Sequence, residues 1–481
     1  TLAKKSFFHY TGGKALLEVV VSFRSVLLTA LLSLSFTTTM QAAHHHYHRY
    51  TDKLHRQNHK KDLISPKPTE QEACNTPSLS KELIPLSEQR GLLSPIYDFI
   101  SERLCLHGVS VRNLKQALKN SAGTQIALDW SILPQWFNPR VSHAPKLSIR
   151  DFGYSAHQTV TEATPPCWQN CFNPSAAVTI YDSSYGKGVF QISYTLVHYW
   201  RENAATAGDA MMLAGSINDY PSRQNIFSQF TFSQNFPNER VSLTIGQYSL
   251  YAIDGTLYNN DQQLGFISYA LSQNPTATYS SGSLGAYLQV APTASTSLQI
   301  GFQDAYNISG SSIKWSNLTK NRYNFHGFAS WAPRCCLGSG QYSVLLYVTR
   351  QVPEQMEQTM GWSVNASQYI SSKLYVFGRY SGVTGHVFPI NRTYSCGMVS
   401  ANLFNRNPQD LFGIACAFNN VHLSASPNAK RKYETVIEGF ATIGCGPYLS
   451  FAPDFQLYLY PALRPNKQSA RVYSVRANLA I

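Results

Sequence analysis

Tyr473-Ser474-Val475-Arg476-Ala477-Asn478-Leu479-Ala480-Ile481 closes the chain on a strict two-residue period. Tyr473, Val475, Ala477, Leu479 and Ile481 are apolar, while Ser474, Arg476 and Asn478 fall between them. Successive side chains on a strand point to opposite faces, so the stretch predicts a strand greasy on one side and wet on the other. A soluble sheet alternates this way too. A chain ending on an outward apolar residue is what closing a barrel in an outer membrane requires.

The same pattern recurs upstream. From about Thr124, short alternating runs are divided by Gly, Pro, Asn, Asp and Ser clusters, among them Phe190/Ile192/Tyr194/Leu196, Val241/Leu243/Ile245 and Ile437/Ala441/Ile443. Residues 124–481 divided among 16 strands give roughly 22 residues per strand and loop, comfortable for tilted strands of ~9–11 residues. The same arithmetic tolerates 14 or 18 strands. Aromatics make up 13% of the chain and charged residues 14%, below the ~25% charge of a soluble domain. A lipid face must shed charge and its rims collect Tyr, Phe and Trp, so composition agrees with a transmembrane barrel. The fold class predicted is therefore all-β: an outer-membrane β-barrel of about 16 antiparallel strands, preceded by a short, partly helical periplasmic segment.

The amino-terminal third supplies an address. Arg24, the apolar run Val26 to Phe36 and the exit Met40-Gln41-Ala42-Ala43 have the order of a cleaved signal peptide, and the run is about half the ~20 apolar residues of a spanning helix. The expected organisation is an untranslated or upstream extension at 1–20, a signal peptide at 21–42, a polar His-rich periplasmic segment at 43–90, a short helical plug or periplasmic segment at 91–123, and the barrel at 124–481. The 91–123 assignment rests on Ile96, Phe99, Ile100 and Leu104, spaced as on one helix face. Residues 1–70 carry ten Lys/Arg against four Asp/Glu, leaving 29 against 22 in the other 411 residues, so the +13 formal charge is uneven and the body of the chain is only mildly basic. No nucleic-acid-binding module accompanies it, and no nucleic-acid partner is expected.

Two blocks carry a family likeness. The first holds Ile245-Gly246-Gln247-Tyr248, Tyr251, Asp254, Asn260-Asp261-Gln262-Gln263, Phe266, Ala270-Leu271-Ser272-Gln273-Asn274-Pro275, Tyr279 and Leu284-Gly285-Ala286. The second holds Glu434-Thr435-Val436-Ile437-Glu438, Pro447-Tyr448-Leu449-Ser450, Pro453-Asp454-Phe455-Gln456 and Pro461. In this order they resemble the OprB-type carbohydrate-selective porins, over about residues 185–481. Within that family the resemblance is to a branch that implies uptake of L-arginine, ahead of an inner-membrane arginine–agmatine exchanger and an arginine decarboxylase. The family's usual solutes are sugars. A terminal aromatic is customary there; Ile481 stands in its place here.

A porin needs a water-filled path, a constriction and polar groups that replace part of a solute's hydration. Alternation places Glu438 and Thr442, Gln456, Tyr458 and Tyr460, Arg476 and Asn478, and Arg379 beside Tyr375 and Phe377, toward the lumen. For arginine, Glu438 could meet the guanidinium while Arg476 or Arg379 meets the carboxylate, and Tyr375, Phe377 and Tyr458 offer aromatic faces. Equally, lumenal charges can pair with one another to stabilise the wall. Asp254 and Asp261 lie in a polar stretch that is either an inward-folded loop or an ordinary turn.

The chain shows no Gly-x-Ser-x-Gly elbow and no specific nucleophile arrangement, so no enzyme, cofactor or metal is expected. His44, His45, His46, His48, His55 and His59 could bind a transition metal, but without a second shell. Cys167 and Cys171 have the wrong spacing for a redox Cys-x-x-Cys motif and suggest a loop disulfide or a cross-link to another chain, as does Cys335-Cys336. Homo-oligomerisation is left open. A barrel enzyme and a surface adhesin are the alternative classes, and the expected location is the outer membrane of a Gram-negative cell.

Overall fold

The computed structural model describes residues 105–106, 109–110, 115, 118–119, 123–138, 166–335, 337–385, 387–422, 431–463 and 468–481. The signal peptide, the His-rich segment and most of the expected helical segment lie outside the described residues. Of the last, Cys105–Leu106 pairs antiparallel with Val109–Ser110, and residues 115, 118 and 119 are helical.

Sixteen strands build the body. They are β1 (Thr124–Asn138), β2 (Cys167–Ser183), β3 (Gly186–Tyr199), β4 (Gln224–Asn235), β5 (Val241–Tyr248), β6 (Ser283–Thr293), β7 (Thr296–Asp304) and β8 (Tyr323–Trp331), then β9 (Gly338–Thr349), β10 (Thr359–Tyr369), β11 (Leu374–Val383), β12 (Ile390–Ala401), β13 (Leu411–Val421), β14 (Tyr433–Cys445), β15 (Leu449–Leu459) and β16 (Ser469–Ala480). Each pairs antiparallel with its sequence neighbour, and β16 pairs with β1, from Arg471 opposite Asn138 to Ala480 opposite Asp129, closing the barrel. The two-residue strand Arg334–Cys335 extends the β8–β9 turn. The strand number falls within the range the sequence arithmetic allows, long connections at one end being offset by short turns at the other.

Alternation divides the wall as the sequence predicts. On β16, Tyr473 and Val475 are exposed while Ser474, Arg476 and Asn478 are buried inside; on β7, Leu298, Ile300 and Phe302 face out and Gln299 and Gln303 face in. No helix among the described residues is long and apolar enough to cross a membrane. Strands do the crossing, and their backbone groups are satisfied between neighbours. Tyr460 departs from expectation. It lies one residue beyond β15, in a left-handed conformation (φ 56°) and exposed, so the strand's alternation no longer positions it.

Connections are short at one end, as at 184–185 and 294–295, and long at the other, as at 200–223, 249–282 and 305–322. The short-turn end carries Thr124 and Ile481, and in such barrels it is periplasmic. Gly246 on β5 has φ 129°, and a Cβ there would lie 2.2 Å from the Phe230 carbonyl oxygen, so only glycine lets β4 and β5 approach this closely beneath the longest of these loops.

An arginine on the lipid face costs ~2–4 kcal/mol near the bilayer midplane. Ile300→Arg is therefore expected to reduce the folded fraction sharply, whereas Gln289→Arg, on the lumenal face, is tolerated; heat-modifiable electrophoretic migration after refolding into lipid measures both.

Candidate functional site

Two long loops fold back into the barrel instead of standing above it. In 200–223, Asn203 caps the helix Ala204–Met211 by accepting a bond from the Thr206 N–H (2.8 Å), and all eight helical residues are buried. In 249–282, a 3-10 turn at Leu250–Ala252 and a one-turn helix at Tyr269–Ser272 are joined by polar, Gly-punctuated chain. Both loops are held by the hydrophobic effect. Leu213 and Ile217 from the first, and Phe266 and Leu271 from the second, pack on Phe377, Val399, Ala417, Val436, Phe440 and Val472 of the inner wall. Phe266 meets Phe440 edge-on, with ring centroids 5.0 Å apart. Strands β11–β16 are thus partly apolar on their inner face because loops cover them there.

The wall's charges tie the loops down. Glu438 accepts bonds from the backbone N–H groups of Ile267 and Ser268, the second at 2.9 Å. Arg476 donates to the carbonyl oxygens of Gln262 and Gly265, the latter at 3.0 Å. Glu434 accepts from the N–H groups of Ala214 (3.0 Å) and Ala462 (3.1 Å). Arg379 donates to the Asn259 carbonyl and to Asn365 Oδ1 (3.0 Å). Gly255 makes room for it, since a Cβ there would sit 2.7 Å from Arg379 Nη2. The two loops also bond each other. The Asp219 N–H donates to Gln262 Oε1 (3.0 Å), and the Gln262 N–H donates back to Asp219 Oδ2 (2.8 Å).

The predicted residues therefore fall into two groups. Glu438, Arg476 and Asp261 come together with Asp219 and Asp454, so that Arg476 lies within electrostatic reach of four carboxylates. Burial raises the Asp219 carboxyl well above the ordinary range, with Asp261 adding to it, and burial likewise raises Asp261. The second group forms around Asp254, which accepts from Tyr279 (2.6 Å), Asn274 (2.8 Å) and Asn365 (3.1 Å), Asn365 also accepting from Arg379. Tyr375 accepts from the Leu257 N–H (3.2 Å), and Tyr458 donates to Gln456 Oε1 (2.8 Å). Glu438, Arg476 and Arg379 are each almost wholly buried; they sit behind the loops, bonded to loop backbone or wall side chains, rather than bare on an open wall. Asp254 and Asp261 belong to an inward-folded loop, so an ordinary turn does not describe them.

Asp219, Glu434 and Asp454 escaped the sequence reading as site residues. Glu434 and Asp454 stand at the inward parity of β14 and β15, a signal that was available; nothing local to Asp219 marks its loop as an inward one. Away from the charged strands, β3–β5 carry neutral polar pairs: Gln229 donates to Gln191 Oε1 (2.8 Å) and Ser233 pairs with Thr244 (2.8 Å). Cys167 and Cys171 correct an expectation. They lie four residues apart on the inner face of one strand, β2, and are buried. That separation is ~13 Å along a strand, beyond the ~7 Å Cα limit of a disulfide, so they do not close a loop together. Among the described residues, no group of three or more His, Cys, Asp or Glu could hold a metal; the histidine cluster lies outside them.

A closed antiparallel barrel with an apolar outer band, long loops at one end and two of them folded into the lumen defines an outer-membrane porin, a channel. The family model of carbohydrate-selective porins, OprB family, matches residues 323–479. Relatives called Porin AaxA are 98% identical over 461 residues in Chlamydia trachomatis serovar D, 81% in Chlamydia muridarum and 47% over 469 residues in Chlamydia abortus, each alignment covering 96% of this chain and 100% of the relative. The high-pH structure of Pseudomonas putida OprB superposes with a TM-score of 0.61 at 13% identity, covering 78% of this chain and 98% of that one. The chain belongs to the OprB family of porins.

Removing a buried acceptor leaves its donors unsatisfied, at about 1–3 kcal/mol each. Glu438→Ala, which frees the Ile267 and Ser268 amides, is expected to loosen loop 249–282 and to raise single-channel conductance in potassium chloride; planar-bilayer recording measures the step size.

Proposed function

We propose that this porin passes a small cationic solute, L-arginine, down its concentration gradient into the periplasm, where it supplies an inner-membrane arginine–agmatine exchanger and an arginine decarboxylase. The observation that carries this reading is the crowding of acidic groups where the two loops meet the wall: Asp219, Asp261, Glu438 and Asp454 all act electrostatically on Arg476, and burial holds Asp219 and Asp261 toward their neutral forms. A carboxyl held back from ionising gains by losing its proton beside a passing cation and gains nothing beside an anion, so such a cluster favours a cation in the narrowed lumen. Asp219, Glu438 and Asp454 are buried where loops and wall meet, so the cluster would act on the guanidinium of a passing arginine through its field and not by direct contact.

A neutral sugar is the second reading. The amide and hydroxyl side chains of Gln191, Gln229, Ser233 and Thr244 favour it, since they exchange hydrogen bonds with hydroxyls without asking for charge. A surface adhesin on the same barrel is the third and would bind by its loops without solute flux. In all three readings residues 1–20 lie upstream, 21–42 form a cleaved signal peptide, and 43–123 reach into the periplasm.

Flux through the purified protein in liposomes separates them, comparing L-arginine, glutamate and glucose across equal gradients. Arginine is expected to enter fastest and glutamate slowest. Glucose ahead of arginine returns the channel to carbohydrate, and absence of all three fluxes moves it to the adhesin class.

A further inference from the structure

We propose that Cys396 and Cys416 form a disulfide across β12 and β13 on the outer face of the barrel. The two residues are direct partners in the ladder. Their sulfurs lie 3.6 Å apart. Opposed residues of an antiparallel pair have Cα atoms about 4.5–5.5 Å apart, within the about 4.4–6.8 Å that a disulfide spans. Closing the bond therefore asks for side-chain adjustment and no movement of strands.

The surroundings decide when such a bond could form. The outward neighbours of the pair along the two strands are Tyr394, Met398, Ile414 and Phe418, all exposed large side chains. Tyr394 stacks on Tyr380 of β11 at 4.5 Å, as in a girdle of interfacial aromatics. The thiols lie one outward step along the strand from it, in the apolar band. Thiol–disulfide exchange runs through a thiolate, and an ion at that depth is costly. Oxidation accordingly belongs to the periplasmic stage, before β12 and β13 enter lipid.

The co-reactant is a protein disulfide of the exchange class found in that compartment. The thiolate of one cysteine attacks it, forming a mixed disulfide and expelling one of its thiolates. The thiolate of the other cysteine then attacks the mixed disulfide, forming the Cys396–Cys416 bond and expelling the second thiolate. Two electrons pass to the oxidant, which leaves as a dithiol carrying the two protons lost by the cysteines.

The bond would staple the hairpin against which the constriction is built. On the lumenal side of the same two strands the helix Tyr269–Ser272 of loop 249–282 makes its wall contacts, and Val399, Ala415 and Ala417 lie in the core beneath it. Once in lipid, the bond would be shielded from charged reductants in the water on either side.

The test uses the full protein in isolated outer membranes, denatured with N-ethylmaleimide and no reductant, then digested and weighed. The expected result is one cross-linked species joining the Cys396 and Cys416 peptides, two hydrogens lighter than the pair of free peptides, surviving a charged phosphine added to intact membranes and opening when the phosphine follows denaturation. Alkylation of both thiols without reductant overturns the proposal, as does either cysteine found bonded to a different cysteine or a second chain. Cleavage by the phosphine in intact membranes overturns the burial of the bond in lipid.

Discussion

Hydrogen-bond closure is the constraint on which the molecule depends. Hydrocarbon offers no partner to a backbone N–H or C=O, so a sheet in lipid must have no edge. Here the edge is removed by the ladder between β16 and β1, continued by mutual bonds between the backbones of Leu128 and Ile481 at 3.0 and 2.8 Å. Everything else follows from a wall that has only two faces. Its outer face has to be apolar, which consigns the polar positions of sixteen strands to the inside, and a tube of that width is too wide for wall side chains alone to fill. Loops 200–223 and 249–282 narrow it.

Buried charge is tolerated in such an interior where it is paired or hydrogen-bonded. Glu434, Glu438, Arg379 and Arg476 satisfy the condition by bonding backbone groups of the loops, which in turn have few secondary-structure partners of their own. The exchange is reciprocal: an irregular loop needs donors and acceptors for its main chain, and a wall carboxylate or guanidinium in a poorly solvated lumen needs bonds. The constriction therefore consists of irregular backbone held in place by acidic and basic wall residues, with apolar packing from Phe266, Leu213 and Phe440 excluding water between the ties.

The barrel was legible because period-two alternation is a local property. Tyr473 to Ile481 reveals both faces of β16 without knowledge of any other strand, and parity alone sends Glu438, Arg476 and Arg379 inward. Their partners were not legible. That Glu438 meets the amides of Ile267 and Ser268 depends on a loop 170 residues away, and no periodicity in either segment encodes the meeting. Asp219 was missed for the same reason, lying in a loop whose inward course is fixed by Leu213 and Ile217 finding an apolar wall. Tyr460 shows the limit of parity itself: one residue beyond the strand, the left-handed turn ends the alternation that would have aimed it. A bond between Cys167 and Cys171 is excluded by something sequence spacing does not show: the two lie on one strand, which holds them apart.

The ties have a further meaning for assembly. Ala214 waits for Glu434 across 220 residues, Ser268 for Glu438 across 170 and Gly265 for Arg476 across 211. The inward loops are made early in the chain and their fastenings late, in β14 and β16. Contacts of such separation are slow to form because loop-closure entropy precedes their reward. A barrel lacking its last strands would have neither a closed wall nor fastened loops, so the filter is the final part of the molecule to exist: selectivity here is a product of completion.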